Sequence, residues 1–172
     1  TLDRQYMLGD SLLVAPVFRP DNGVQYYLPA GRWTNFLTNA VVEGGRWINE
    51  THDFMSIPLL ARPGSLIAIG ANDTVADYDL ANEVTLHLFE LAEGATASAT
   101  VPGLDGKTEL TVCVTRNGDT LKVDATGAGK PWKLLLRNIA SIKGATGVVA
   151  SNDAQGTLLA PDNNPSSFTV LL

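Results

Sequence analysis

Thr108-Glu109-Leu110-Thr111-Val112-Cys113-Val114-Thr115-Arg116-Asn117-Gly118-Asp119-Thr120-Leu121-Lys122-Val123-Asp124 is the stretch that decides the fold. Successive side chains of a strand point to opposite faces, so Leu110, Val112 and Val114 share one side. Asn117-Gly118 tolerates positive φ, and a second run follows from Asp119 to Asp124. Two such runs about such a dipeptide predict a β-hairpin. Upstream, Asp105-Gly106 predicts a second tight turn, and residues 84–91 put Val84, Leu86 and Leu88 on one face. Downstream, residues 132–139, 147–150, 157–160 and 167–172 supply further short runs.

The same grammar extends to the beginning of the chain. Residues 24–28, 32–37, 46–48, 54–60 and 65–69 read as strands, punctuated by Pro29-Ala30-Gly31, Gly44-Gly45 and Pro63-Gly64. Residues 11–18 form a nearly continuous apolar run stopped by Pro16 and Pro20, which suits a strand covered on both faces. Helical periodicity is almost absent. Turn signals about eight to twelve residues apart indicate sandwiches or barrels. The expected class is all-β, as two consecutive antiparallel β-sandwich sub-domains. The polar, acidic stretch 71–79 places the boundary, giving a proximal sandwich over 1–76 and a distal one over 77–172. Sub-domains of ~80 to 95 residues bury only about 60–65% of their unfolded surface, so each should lean on a neighbour.

Composition narrows the function. Of 172 residues, 45% are hydrophobic and 17% charged, as in ordinary globular proteins. A net charge of −6 argues against nucleic acid or an anionic membrane as partner. No apolar run approaches the ~20 residues of a membrane-spanning helix. Cys113 is the sole cysteine, so no internal disulfide can form, and a reducing, cytoplasmic location fits. Within its alternating run Cys113 reads as a small packed hydrophobe.

The chemistry-bearing residues are sparse. Glycoside hydrolysis needs two facing carboxyl groups, one often with a raised pKa. Asp53, Asp73, Asp77, Asp79, Glu83 and Glu90 are available, yet they lie in turns or at strand ends and no pair stands out. His87 falls on the outer side of its strand, and His52 in a polar loop. No serine sits in a nucleophile elbow. Two histidines and one cysteine without short spacing predict no metal site, and no cofactor fingerprint is present. Aromatic rings stack on the C–H faces of sugars, which makes Trp33, Trp47, Trp132 and Tyr78 the candidate carbohydrate contacts. Core packing is the plainer reading of Trp33 and Trp47, since both lie within strand runs.

Three segments carry a family resemblance. Residues 5–17, Gln5-Tyr6-Met7-Leu8-Gly9-Asp10-Ser11-Leu12-Leu13-Val14-Ala15-Pro16-Val17, resemble the helix-to-strand transition where the catalytic barrel of family 31 glycoside hydrolases gives way to its C-terminal β-sandwich. Tyr27-Leu28-Pro29-Ala30-Gly31-Arg32-Trp33 resembles that family's Leu-Pro-x-Gly-x-Trp hairpin, and Ile57-Pro58-Leu59-Leu60-Ala61-Arg62-Pro63-Gly64 its next strand pair. Residues 72–138, with Leu86-His87-Leu88-Phe89 and Trp132-Lys133-Leu134-Leu135-Leu136-Arg137-Asn138, are similar to the bacterial α-xylosidase branch.

The resemblance implies a retaining α-xylosidase or α-glucosidase whose nucleophile and acid/base aspartates lie on the barrel. No catalytic residue carries over to this chain. The implied role is non-catalytic: the chain supports a barrel of the same parent polypeptide, which could itself be a homo-oligomer. The rival reading is an accessory carbohydrate-binding module. A beginning at Thr1, inside an apolar segment, gives the expectation of a piece of a longer protein. That expectation includes exposed apolar side chains at Leu2, Tyr6, Met7 and Leu8, where the barrel would sit.

Overall fold

A computed structural model describes residues 4–127 and 129–172. Among these residues every regular element is a strand, and the chain divides into two compact units, residues 1–63 and 64–172.

The first unit contains β1 (Tyr6–Leu8), β2 (Leu12–Val14), β3 (Gly23–Leu28), β4 (Arg32–Asn35), β5 (Val41–Glu43), β6 (Arg46–Thr51) and β7 (Leu59–Ala61). Five of them form a sheet in the order β1-β2-β7-β4-β5, and β3 pairs with β6 as a separate ribbon. Val24, Tyr26 and Leu28 alternate inward along β3 and share a core with Leu13, Trp33 and Leu60 from the sheet and Ala15 just past β2. The apolar run at 11–18 is a strand only over Leu12–Val14, and Phe18 stands out in solvent. The segment resembling a helix-to-strand transition is a β1–β2 hairpin here, with Tyr6 opposite Val14 and Leu8 opposite Leu12. Gly9 turns it at φ 60, a conformation that costs glycine nothing.

The second unit contains β8 (Leu66–Ile69), β9 (Val84–Leu88), β10 (Thr96–Pro102), β11 (Thr108–Asn117), β12 (Thr120–Thr126), β13 (Trp132–Arg137), β14 (Gly144–Ala145), β15 (Val148–Asp153), β16 (Gly156–Pro161) and β17 (Ser167–Leu171). They make two five-stranded sheets, β10-β11-β12-β17-β14 and β15-β16-β13-β9-β8. Side chains from both pack into one apolar cluster, with Leu110, Val112, Val114, Val123 and Val170 from one sheet and Val84, Leu86, Leu134, Leu136 and Leu159 from the other. That is a β-sandwich. Pairing is antiparallel throughout this unit except between β9 and β13, which run parallel with Leu86 opposite Leu134.

The observed division departs from the expected boundary at 76/77. β8 reads locally like a continuation of the first half, yet it pairs with β9, setting Leu66 opposite Leu88 and Ile69 opposite Thr85. The polar stretch at 70–83 is thus a loop within the second unit. Its Tyr78 hydroxyl lies so close to Gly70 that a Cβ there would be only 1.6 Å from it.

Candidate functional site

The first unit carries a cleft of about 500 Å³ lined by Val17, Phe18, Asn22, His52, Phe54 and Ile57, among others. Two loops build it. In the first, Asn22 takes φ 61 and its N–H donates to Arg19 O at 3.0 Å, while Asp21 pairs with the Arg19 guanidinium at 2.5 Å and accepts from Gly23 N–H at 3.0 Å. In the second, which follows β6, Asp53 Oδ1 accepts from Met55 N–H at 3.0 Å and from Ser56 Oγ at 2.9 Å. The bond from Ser56, then that from Met55, holds the Asp53 carboxyl below its usual range. His52 N–H donates to Asn22 O at 3.1 Å and ties the two loops together.

His52 is the hub of the second loop. Its Nε2 lies 3.0 Å from Glu50 Oε2 and its Nδ1 lies 3.1 Å from Ser56 Oγ. The series carboxylate, imidazole, hydroxyl looks like a nucleophile relay. Yet Ser56 has one proton and two neighbours, Asp53 Oδ1 and His52 Nδ1, so the imidazole does not hold it alone. The arrangement is a clamp for the turn at residues 53–56. Sequence reading placed residues 54–60 in a strand. The Asp53 and Ser56 side chains bend Phe54 and Met55 into a turn instead, and extended pairing begins only at Leu59.

The aromatic candidates separate clearly. Trp33 and Trp132 are each 2% exposed, which corrects their reading as sugar contacts. Trp33 donates its indole N–H to Pro29 O at 2.9 Å, and Trp132 packs on Phe168. Trp47 is 55% exposed, but Tyr27 meets it edge-on at 66°, so the two rings offer no flat platform. Tyr78 is half-buried and lines a small hollow of about 300 Å³ with Asn72, Asp73 and Asp79.

Carboxylates show the same dispersal. Asp79 pairs with Lys130 at 2.8 Å, and Lys130 also binds Glu109. Asp105, Asp119 and Asp124 pair with Lys107, Lys143 and Lys122 at 2.9, 2.9 and 3.0 Å. Hydrogen bonding from those lysines holds each of these four aspartates below the ordinary range, opposite to what a general acid needs. Among the described residues no group of three or more His, Cys, Asp or Glu could hold a metal ion.

His87 lies where its alternation put it, on the face of β9 opposite the core, but it is paired rather than solvated. Arg137 Nη1 donates to His87 Nδ1 at 3.0 Å, so the imidazole proton sits on Nε2. The same guanidinium lies 4.9 Å from the centre of the buried Phe89 ring. Burial first, then the Arg137 charge, depresses the His87 pKa to about 4, against a smaller opposing pull from Asp153. The unfolded chain, with its ordinary pKa of 6.5, therefore binds the extra proton first. Stability from this group is full above pH 6.5 and is lost as pH falls towards 4. After discounting for partial exposure the loss is about 1–2 kcal/mol. His87→Asn keeps an acceptor for Arg137 and removes the titration. Urea midpoints of the two proteins should converge as pH drops from 7 to 4, and parallel curves would contradict the assignment.

Comparison with known proteins matches the sequence to one family. The model for the C-terminal domain of alpha-xylosidase YicI matches residues 79–172, more than half of the chain, and the model for the glycosyl hydrolase family 31 C-terminal domain matches residues 1–67. Alpha-xylosidase XylQ of Lactiplantibacillus pentosus is 36% identical over 100 residues, which cover 56% of this chain and 13% of that protein. An alpha-xylosidase of Emericella nidulans is 46% identical over 76 residues, 40% of this chain and 10% of that protein. The chain thus spans a small part of these relatives' length. Among solved structures, the cycloalternan-forming enzyme from Listeria monocytogenes superposes with a TM-score of 0.81 at 19% identity, over 99% of this chain and 19% of that one. The GH31 alpha-xylosidase from Xanthomonas citri gives 0.64 at 23% identity, over 98% of this chain and 19% of that one. At such identities these two likenesses speak for the fold alone, whereas the two consecutive family models identify the chain as C-terminal β-sandwich sequence belonging to glycoside hydrolase family 31.

Proposed function

We propose that this chain is the non-catalytic supporting region of a longer family 31 enzyme that hydrolyses terminal α-xylosidic or α-glucosidic bonds with retention. Its partner is the catalytic barrel of the same polypeptide. The observation that carries this reading is β1. Tyr6, Met7 and Leu8 are 52%, 37% and 56% exposed, on the edge of a sheet whose next strand, β2, is half-buried to buried along its length. An apolar edge strand left open invites pairing or aggregation, and proteins normally cover one. The relatives are long enough to include a cover, since the aligned segments are only 13% and 10% of their length. Leu2, expected to share this patch, lies outside the described residues.

Support of this kind makes two measurable demands. The purified chain should not cleave an aryl α-xyloside, and turnover that survives stringent purification would overturn the reading. In the full-length parent, Met7→Ser combined with Leu8→Ser should lower Tm by about 5 °C by removing apolar contact with the barrel. A parent indifferent both to this pair and to deletion of the whole chain would have no use for the support.

A further inference from the structure

β15 is the outer strand of the sheet β15-β16-β13-β9-β8, and from Val149 to Asp153 every residue is exposed, with Val149 at 65%. Its pairing shows which backbone groups stand free. Asp153 lies opposite Gly156 across a two-residue turn, and the pair that closes such a hairpin is hydrogen-bonded. Bonded pairs then recur at every second residue, at Ser151 and Val149, and Asp162 N–H continues the series to Gly147 O at 2.9 Å. Val148, Ala150 and Asn152 therefore turn N–H and C=O away from β16. Val148 accordingly sits opposite Pro161, which has no N–H to give it. Among the described residues no other segment bonds these groups. The edge is also stiff, because Asp153 Oδ1 accepts from Gln155 N–H at 2.8 Å and Gln155 O accepts from Asn138 N–H at 2.9 Å.

Proteins blunt open edges with charge, proline, bulges or brevity. The other edges of the second unit do so: β10 shifts register at Val101/Pro102 and ends on the proline, β14 has two residues and β8 four. β15 has six residues and no charge before Asp153. We propose that β15 is a self-association edge, by which two copies pair antiparallel about a two-fold axis at Ala150 and join their sheets into one. In that register Ala150 meets Ala150, Val148 meets Asn152 and Val149 meets Ser151, so every free N–H faces a free C=O. Asp153 falls opposite Gly147, so no like charges face each other. A second copy is the occupant because the segment is its own complement under a two-fold. A net charge of −6 sets two copies against each other elsewhere, and residues 147–152 carry none of it. The inference is independent of the supporting role proposed above, which rests on β1 of the first unit.

Pairing of one short strand covers less than the ~1,200 Å² of a standard interface, so association should be reversible, with a Kd on the order of 10 μM. Sedimentation velocity of the full-length parent over about 1–100 μM should show it. The two-fold sets each Ala150 beside its copy, so Ala150→Lys and Ala150→Glu should each abolish association by placing like charges opposite. An equimolar mixture of the two variants should restore it, which neither misfolding nor a contact elsewhere on the surface would do. At about 1 μM, below the Kd, the Tm of each variant should stay within about 1 °C of the parent, because Ala150 is exposed and its N–H lies outside the β15–β16 ladder. A parent that is monomeric at the highest concentration, or whose association ignores both variants, overturns the proposal. Association that both variants abolish and the mixture fails to restore overturns it too. A monomeric parent whose Tm falls by several degrees in both variants would overturn it in favour of a cover from the same polypeptide.

Discussion

Trp132→Ala is expected to cost about 3–5 kcal/mol, a large share of the roughly 5–15 kcal/mol that holds a typical domain together. Trp132 is 2% exposed on β13, and its ring lies 6.1 Å from that of Phe168 on β17. Those strands belong to the two facing sheets of the second unit, so the ring pair spans the sandwich. Truncation would open a cavity at the contact between the layers, where neither sheet can close the gap without shifting its own ladder. The indole N–H has no hydrogen-bond partner among the described residues. Trp132→Phe should therefore cost far less, about 1–2 kcal/mol, because the lost volume is partly offset by removing an unpaired buried donor. Trp47→Ala, at a ring 55% exposed, should cost less than about 1 kcal/mol. Urea unfolding followed by circular dichroism ranks the three. A Trp132→Ala protein as stable as Trp47→Ala would mean that Trp132 is not in the core.

Residues whose structural role depends on near neighbours were legible in the sequence. The pleat puts Val84, Leu86 and Leu88 inward along β9 and Leu110, Val112 and Val114 inward along β11, as alternation alone requires. The Asn117-Gly118 hairpin forms, but one residue later than the dipeptide suggests: Asn117 pairs with Thr120, and Gly118 at φ 60 opens the two-residue turn. The Glu93 carboxylate selects that placement by accepting from Gly118 N–H at 2.8 and 2.9 Å. β10 is illegible in the sequence because its inward positions are Ala97, Ala99 and Val101 and it ends at Pro102. Side chains that small leave little hydrophobic alternation to read, and the strand exists because β11 offers it a complete ladder.

Features that depend on distant partners were not legible. Nothing local to Leu66–Ile69 says that it joins Val84–Leu88, and nothing local to Trp132–Arg137 says that it runs parallel to β9. Both follow from which strands must share the second core. The cleft was half legible. Asp53 and Ser56 three residues apart, with Pro58 following, form a turn signature that the apolar Phe54-Met55-Ile57 pattern masked. Exposure decides between the two patterns, and no window of sequence reports exposure.

Gly156→Ala should be a severely damaging single-methyl change, costing on the order of 4 kcal/mol. Gly156 opens β16 opposite Arg137 of β13, with φ at +153. A Cβ built there would sit 2.0 Å from Leu136 O and 3.0 Å from Leu136 C. Both are backbone atoms of the central strand of the sheet, so no rotamer change relieves the clash. Either β16 separates from β13, breaking the ladder from Gly156 to Leu159, or β13 is pushed towards the core that Leu134 and Leu136 fill. Gly106→Ala provides the contrast. At φ +76 it carries the left-handed penalty of about 1–2 kcal/mol, but nothing lies within 4 Å of its Cβ. Torsion also disfavours Gly156→Ala more than Gly106→Ala, because φ +153 lies beyond the left-handed region that other residues can reach. If the approach of two backbones governs, Gly156→Ala should lose at least twice as much in urea midpoint. Equal midpoints would place β16 further from β13 than the Arg137–Gly156 pairing allows.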